Sequence, residues 1–282
     1  MFTSFTFICA LVLAGGPTTI DSFCRQVAPP TVNGRWTRTV GCSRAVVLIH
    51  GFHYQALAIH VPKAELRPWQ GADAVLVKEL AKNADVYSFG YGQNVPLDAI
   101  VRDSKLPPSI AYLRKLGYDD IALVGHSAGG LIARHFVEDF PDAGVTRVAQ
   151  ICAPNGGSPL AKMIVHKNQK PFLECLTEKH RRQCLKERAD KTIPESVQFL
   201  CVVGKGDGGV KVTDGVVPCA CQWTADLQTQ GVPAFAVPGG HREIVRDPKF
   251  VETITRLLRE PQPRWPPDRV DRAKAEIFGP RK

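Results

Sequence analysis

Short apolar runs, bounded by Gly, Pro or polar turns, recur along the chain and alternate with segments whose apolar positions return at helical spacing. The runs at 45–50 (AVVLIH), 85–89, 121–124, 146–151, 197–203 and 234–237 are rich in branched and aromatic residues. With so little polar alternation they predict short strands buried on both faces. Helical patterns at 72–82, 108–116, 129–139 and 247–259 fill the gaps, and Gly117 predicts the end of the second. This alternation implies an α/β fold, a mainly parallel sheet with helices on both faces. Residues 35–40 would add an antiparallel edge strand.

Two stretches depart from the rhythm of the 45–259 domain. Residues 154–196 form a long, charged insertion of the kind that serves α/β proteins as a lid or cap. In its segment PFLECLTEKHRRQCLKER, Phe172, Leu173, Leu176 and Leu185 stand among Lys and Arg, a weakly amphipathic helical pattern. Such a helix either lies solvated on a few leucines or covers a site with its apolar face and offers its basic face to an anionic surface. Residues 260–282 are rich in Pro and Arg, with a period only at 270–278, and predict a partly disordered extension.

The apolar run FTFICALVLAGG at 5–16 is too short to span a bilayer but suits the core of a signal peptide over 1–16, followed by an arm at 17–44. Export to the cell envelope or medium is therefore expected. Removing Cys9 with the signal leaves eight cysteines, an even set that predicts disulfides in an oxidising compartment. Cys24 with Cys42 would staple the arm, whereas Cys152 and Cys201 sit in apolar runs and read as buried thiols. Cys175 and Cys184 would lie about 13 Å apart on one continuous helix, beyond the roughly 7 Å a disulfide tolerates. Nothing between them is Gly or Pro, so a single helix is expected, with no bridge between the two and at least one paired to Cys219 or Cys221.

The formal charge of +9 raises the question of acidic partners. There is no P-loop, zinc-finger spacing or basic–aromatic repeat, which argues against nucleic acid. No Cys/His cluster has metal-ligand spacing, and neither metal nor cofactor is expected. Oligomeric state leaves no trace in the pattern.

The chemistry concentrates in GHSAG, Gly125 to Gly129, which stands between a predicted strand and a predicted helix as a G-x-S-x-G nucleophile elbow requires. Gly125 and Gly129 would let strand and helix approach, the strained turn would lift Ser127 Oγ clear of the sheet, and the Ala128 N–H would sit at a helix N-terminus whose dipole favours an oxyanion. A serine needs a base within hydrogen-bond reach, and that base needs a carboxylate. His241, in a Gly-rich loop after the last strand, can reach the elbow. His126 is beside Ser127 in the turn and cannot bend back; His50 and His53 would support or line the site, and His60, His135, His166 and His180 read as packing or surface residues. Asp207 follows its strand almost directly and Asp214 comes seven residues later. Geometry alone favours neither as the acid.

From 45 to 258 the chain resembles the α/β-hydrolases, in particular bacterial lipases and esterases. VLIHGF (47–52) resembles the family's HG segment, which implies the Phe52 N–H as a second oxyanion donor beside that of Ala128. CAPNGGSPLA (152–161) resembles the segment entering the lid, and GGHREIV (239–245) the loop of the catalytic histidine. TDGVVP (213–218) resembles the acid-bearing turn, which favours Asp214 with Asp207 as the alternative. The order Ser, Asp, His is that of the fold. The resemblance implies a serine hydrolase cleaving carboxylic esters, lipids included, through an acyl-enzyme. A thioesterase or lipid-anchor deacylase would use the same triad; a non-catalytic binding protein would need none of it.

Overall fold

The computed structural model describes residues 20–54, 63–164, 167–206 and 212–279. Its strands are β1 (Ser22–Ala28), β2 (Arg44–Ile49), β3 (Asp85–Tyr91), β4 (Asp120–His126), β5 (Val145–Ile151), β6 (Gln198–Gly204) and β7 (Ala234–Val237). They form one sheet in the order β1-β3-β2-β4-β5-β6-β7, with β1 antiparallel to β3 and all other pairs parallel. The helices are α1 (Val75–Leu80), α2 (Leu97–Asp103), α3 (Leu106–Lys115), α4 (Ala128–Asp139), α5 (Lys170–Glu174), α6 (Glu178–Glu187), α7 (Cys219–Gln222), α8 (Ala225–Thr229), α9 (Pro248–Arg259) and α10 (Pro267–Phe278).

Each central strand is buried on both faces because helices cover both. Along β2, Ala45, Val47 and Ile49 pack into the core built with α2, α3, α4 and α10, while Val46 and Leu48 face the core built with α1 and α9. That is why these strands read as unbroken apolar runs. The chain leaves β2 for β3 on one side, then crosses back to β4 on the other. The carboxyl ends of β2 and β4 therefore flank the point where strand order reverses, the usual ligand crevice of open α/β sheets.

Several expectations are corrected. The antiparallel edge strand is residues 22–28, not 35–40. Residues 35–40 run alongside it without a ladder, held instead by the Gln26 amide, which donates to the Thr37 carbonyl and accepts from the Thr37 N–H at 2.7 Å each. The C-terminal stretch is not disordered across its described part: Trp265 and Phe278 pack against buried Trp223, and Arg269 lies over the Trp265 ring. Across the segment that holds Cys175 and Cys184 the chain forms two α-helices rather than one. α5 ends at Glu174 and α6 begins at Glu178, capped by Thr177 Oγ1, which accepts from the His180 N–H. All eight cysteines from Cys24 to Cys221 are free thiols, so neither a Cys24–Cys42 staple nor a bridge from Cys175 or Cys184 to Cys219 or Cys221 is present. The apolar run at 5–16 and the alternative acid Asp207 lie outside the described residues, as do His60 and His166.

Candidate active site

Ser127 sits between β4 and α4 at φ +55° and ψ −127°, a conformation that L residues adopt only under strain. The flanking glycines make it possible. A Cβ on Gly125 would strike the Gly129 carbonyl, and one on Gly129 would strike the Ile49 carbonyl at the end of β2. Strand, turn and helix thus meet at backbone distance. The Ser127 N–H donates to the Ile151 carbonyl at 2.8 Å, which ties the turn to β5. The Oγ makes no hydrogen bond among the described residues and opens into a cavity of about 460 Å³.

His241 lines the same cavity, 9% exposed. Its Nδ1 lies 2.7 Å from Asp214 Oδ2, so the carboxylate accepts a hydrogen bond from Nδ1–H, which keeps the proton on Nδ1 and leaves Nε2 as the basic nitrogen. Asp214 Oδ1 accepts the N–H groups of Val216 and Val217 at 2.8 and 2.7 Å, and the Asp214 carbonyl accepts the His241 N–H at 2.9 Å. Burial alone would raise the Asp214 pKa; the hydrogen bond and charge of His241, together with these two amides, hold it below the usual carboxylate range. The turn is braced by Gln222, whose side-chain amide bonds the Gly204 N–H and carbonyl and the Val217 carbonyl. His126 braces the histidine loop. Its Nε2 donates to the His241 carbonyl at 2.7 Å, and burial, then the neighbouring His241, pushes its pKa down to about 3, so the ring is neutral.

The loop after β2 is fixed by His50, expected to support the site, and by Gln93 and Gln169, which sequence reasoning missed. The Gly51 carbonyl accepts from both His50 Nδ1 (2.8 Å) and Gln93 Nε2 (2.9 Å), while Gln93 Oε1 accepts the His53 N–H. Gln169 donates to the His53 carbonyl. In a trans peptide the C=O and the N–H point in opposite directions. Holding the Gly51 carbonyl from behind therefore turns the Phe52 N–H away from those partners. Neither that N–H nor the Ala128 N–H, the first of α4, has an acceptor among the described residues. His50 stacks on Tyr91, and burial lowers its pKa to about 4.

Cys152, just past β5 at φ +52°, packs behind Asp214. Burial, reinforced by that carboxylate, pushes its thiol pKa well above the ordinary value. The ligand atoms of Cys152, Asp214 and His241 lie within 4.8 Å of one another, the one such cluster of three among the described residues. The imidazole–carboxylate bond already joins two of them. His53 lines the cavity; His135 is buried and bonded to Asp98 at 2.6 Å; His180 is exposed on α6.

Strand order, the strained serine after β4 and the histidine–carboxylate pair after β6 and β7 together define the α/β-hydrolase fold. Solved structures agree. Lipase BlEst2 from Bacillus licheniformis, in its mature form, aligns with a TM-score of 0.60 at 13% identity over 86% of this chain and 99% of that one. Phospholipase PlaB from Legionella pneumophila aligns at 0.60 and 16% identity over 84% of this chain, which spans 63% of the phospholipase. A metagenomic carboxyl esterase, MGS0156, aligns at 0.51 and 15% identity over 89% of this chain and 80% of its own. No protein-family model and no curated protein sequence matches the chain.

Proposed function

We propose that the protein is a serine hydrolase of carboxylic esters, of the lipase and carboxylesterase kind. The observation that carries this reading is that Ser127 and the Asp214-bound His241 open into one cavity. In the proposed reaction His241 Nε2 takes the proton of Ser127 Oγ as the oxygen attacks the ester carbonyl. The contact between them tightens as the carbonyl docks. The N–H groups of Phe52 and Ala128 receive the oxyanion of the tetrahedral intermediate. Collapse expels the alcohol, which takes the proton back from His241, and water repeats the sequence to release the acid from the acyl-enzyme. Asp214 keeps the imidazole in the required tautomer and stabilises its cation. The fold shared with lipases, a phospholipase and an esterase supports ester and lipid substrates. The apolar insertion residues Leu173 and Leu176, which line the cavity, support a lid role for 154–196.

The test is hydrolysis of nitrophenyl esters of increasing acyl length by the purified protein and by Ser127→Ala. Turnover should fall by about a thousandfold or more in the variant. Comparable turnover in both proteins would exclude Ser127 as the nucleophile.

A further inference from the structure

The cavity lining divides in character by chain segment. The side chains of Leu160, Ala161, Ile164, Leu173 and Leu176, from the insertion, are apolar. The histidine loop and the segments after β2 bring aromatic and apolar side chains too, Phe52, Tyr54, Trp69 and Val245, but they also supply the basic ones: Arg242, Arg246, Arg67 and His53. Arg67 is neutralised by Glu65 at 2.8 Å. Arg242 and Arg246 form no ion pair among the described residues, and Asp214 is committed to His241. Two positive charges thus border the cavity without a carboxylate at ion-pair distance among the described residues, although Glu243 and Asp247 share their loop.

Both charges are felt at the site. His53 is held below its ordinary pKa by burial first and then by Arg67, with Arg242 adding a smaller share; Arg246 acts in the same sense on His126, beside Ser127, after burial and His241. The chemistry says which half of an ester meets them. His241 Nε2 must return its proton to the departing oxygen, so the alcohol half leaves on the His241 side. Arg242 is the next residue along the chain, and Arg246 follows on the same loop.

We propose that the ester cleaved here carries an anionic group, a phosphate or carboxylate, on its alcohol half, held by Arg242 and Arg246 while the acyl chain lodges among the insertion's apolar side chains. Guanidinium groups suit this task because their planar donor fork matches both oxyanions. The proposal rests on the ester-hydrolase reading above. It adds a substrate class that the serine, histidine and acid do not by themselves imply.

The test compares 1-butanoylglycerol 3-phosphate with 1-butanoylglycerol, which share the scissile ester and differ in the charge of the alcohol half. At low salt kcat/KM should favour the phosphate by about tenfold or more, a difference of roughly 1.4 kcal/mol. In Arg242→Gln/Arg246→Gln the ratio should fall toward one, and in the unaltered protein it should shrink as salt is raised, since exposed charges are screened. A second arm compares phosphatidylglycerol with diacylglycerol of matched acyl chains, each dispersed at low fraction in vesicles of a non-hydrolysable ether-linked phosphatidylcholine. Preference for the anionic member in the vesicle arm alone assigns the anion to a lipid headgroup, and preference already in the soluble pair assigns it to the ester itself; either supports the proposal. Cleavage of both glycerol esters and both dispersed lipids without preference, or a preference retained in the double variant, overturns it and leaves the hydrolase reading intact. Cleavage of neither glycerol ester, with nitrophenyl esters also untouched, removes both.

Discussion

Gln93 has no chemistry of its own to offer, yet it sets the direction of the peptide that the proposed mechanism uses for its oxyanion. With Gln93→Leu the Gly51 carbonyl keeps only His50, and the Phe52 N–H loses its fixed aim. We expect kcat to fall by roughly ten- to a hundredfold, less than loss of a whole donor, with KM little changed and the circular dichroism spectrum unaltered. An unchanged kcat would remove Gln93 from the positioning of this loop. At the acid, Asp214→Asn should lower kcat by about four orders of magnitude, because an amide mis-sets the histidine tautomer, while Asp207→Asn should leave kcat near its original value. The reverse ranking would transfer the role to Asp207. Ser127 and His241 were legible in the sequence because an elbow and a Gly-rich loop need particular residues at fixed local spacing. Gln93, Gln169 and Gln222 were not, because a side-chain amide that braces distant backbone has no local signature.

Among the elements, the strands from β2 to β7 were read within two residues, whereas the edge strand β1 and the helices of the insertion were misread. β1, SFCRQVA, carries Arg25 and Gln26 at its centre and looks unlike a strand, but Arg25 is exposed at the sheet edge and the buried Gln26 amide is satisfied by the Thr37 backbone. The helix break at 175–177 needs neither Gly nor Pro. Thr177 followed by Glu178 is a helix start, with an N-cap hydroxyl and an acid in the first turn. Starting a new helix there turns Arg181 inward, where Nε donates to the Asn155 carbonyl, and brings Arg188 onto Glu138 and Asp139 of α4. Part of the insertion's basic face is therefore spent on holding it to α4. Thr177→Ala should cost about 1 kcal/mol, visible as a lowered denaturant midpoint at constant slope. No shift in midpoint would show that the cap contributes nothing.

On the scale of the whole molecule, three histidines are buried in the neutral state, which ties stability to pH. His50 and His135 have pKa values near 4 and His126 near 3, each lowered chiefly by burial from an ordinary 6.5. At His135 the reason is visible: Nδ1 donates to Asp98 while Nε2 faces the guanidinium donors of Arg181 at 3.3 Å, leaving no place for a second proton. Between pH 6.5 and 4 the unfolded chain binds more protons than the folded one, so the stabilisation is full above about 6.5 and is lost as pH falls toward 4. Melting temperature measured across that interval should decline steadily, ahead of the carboxylate range. A flat profile down to pH 4.5 would contradict the neutral assignment. The central claim, that one serine in this fold is an activated nucleophile, is tested most directly by treating the native protein with a fluorophosphonate and mapping the adduct by peptide mass. The label should fall on Ser127 alone and vanish on prior heat denaturation; labelling at another serine, or none on the folded protein, would contradict the account.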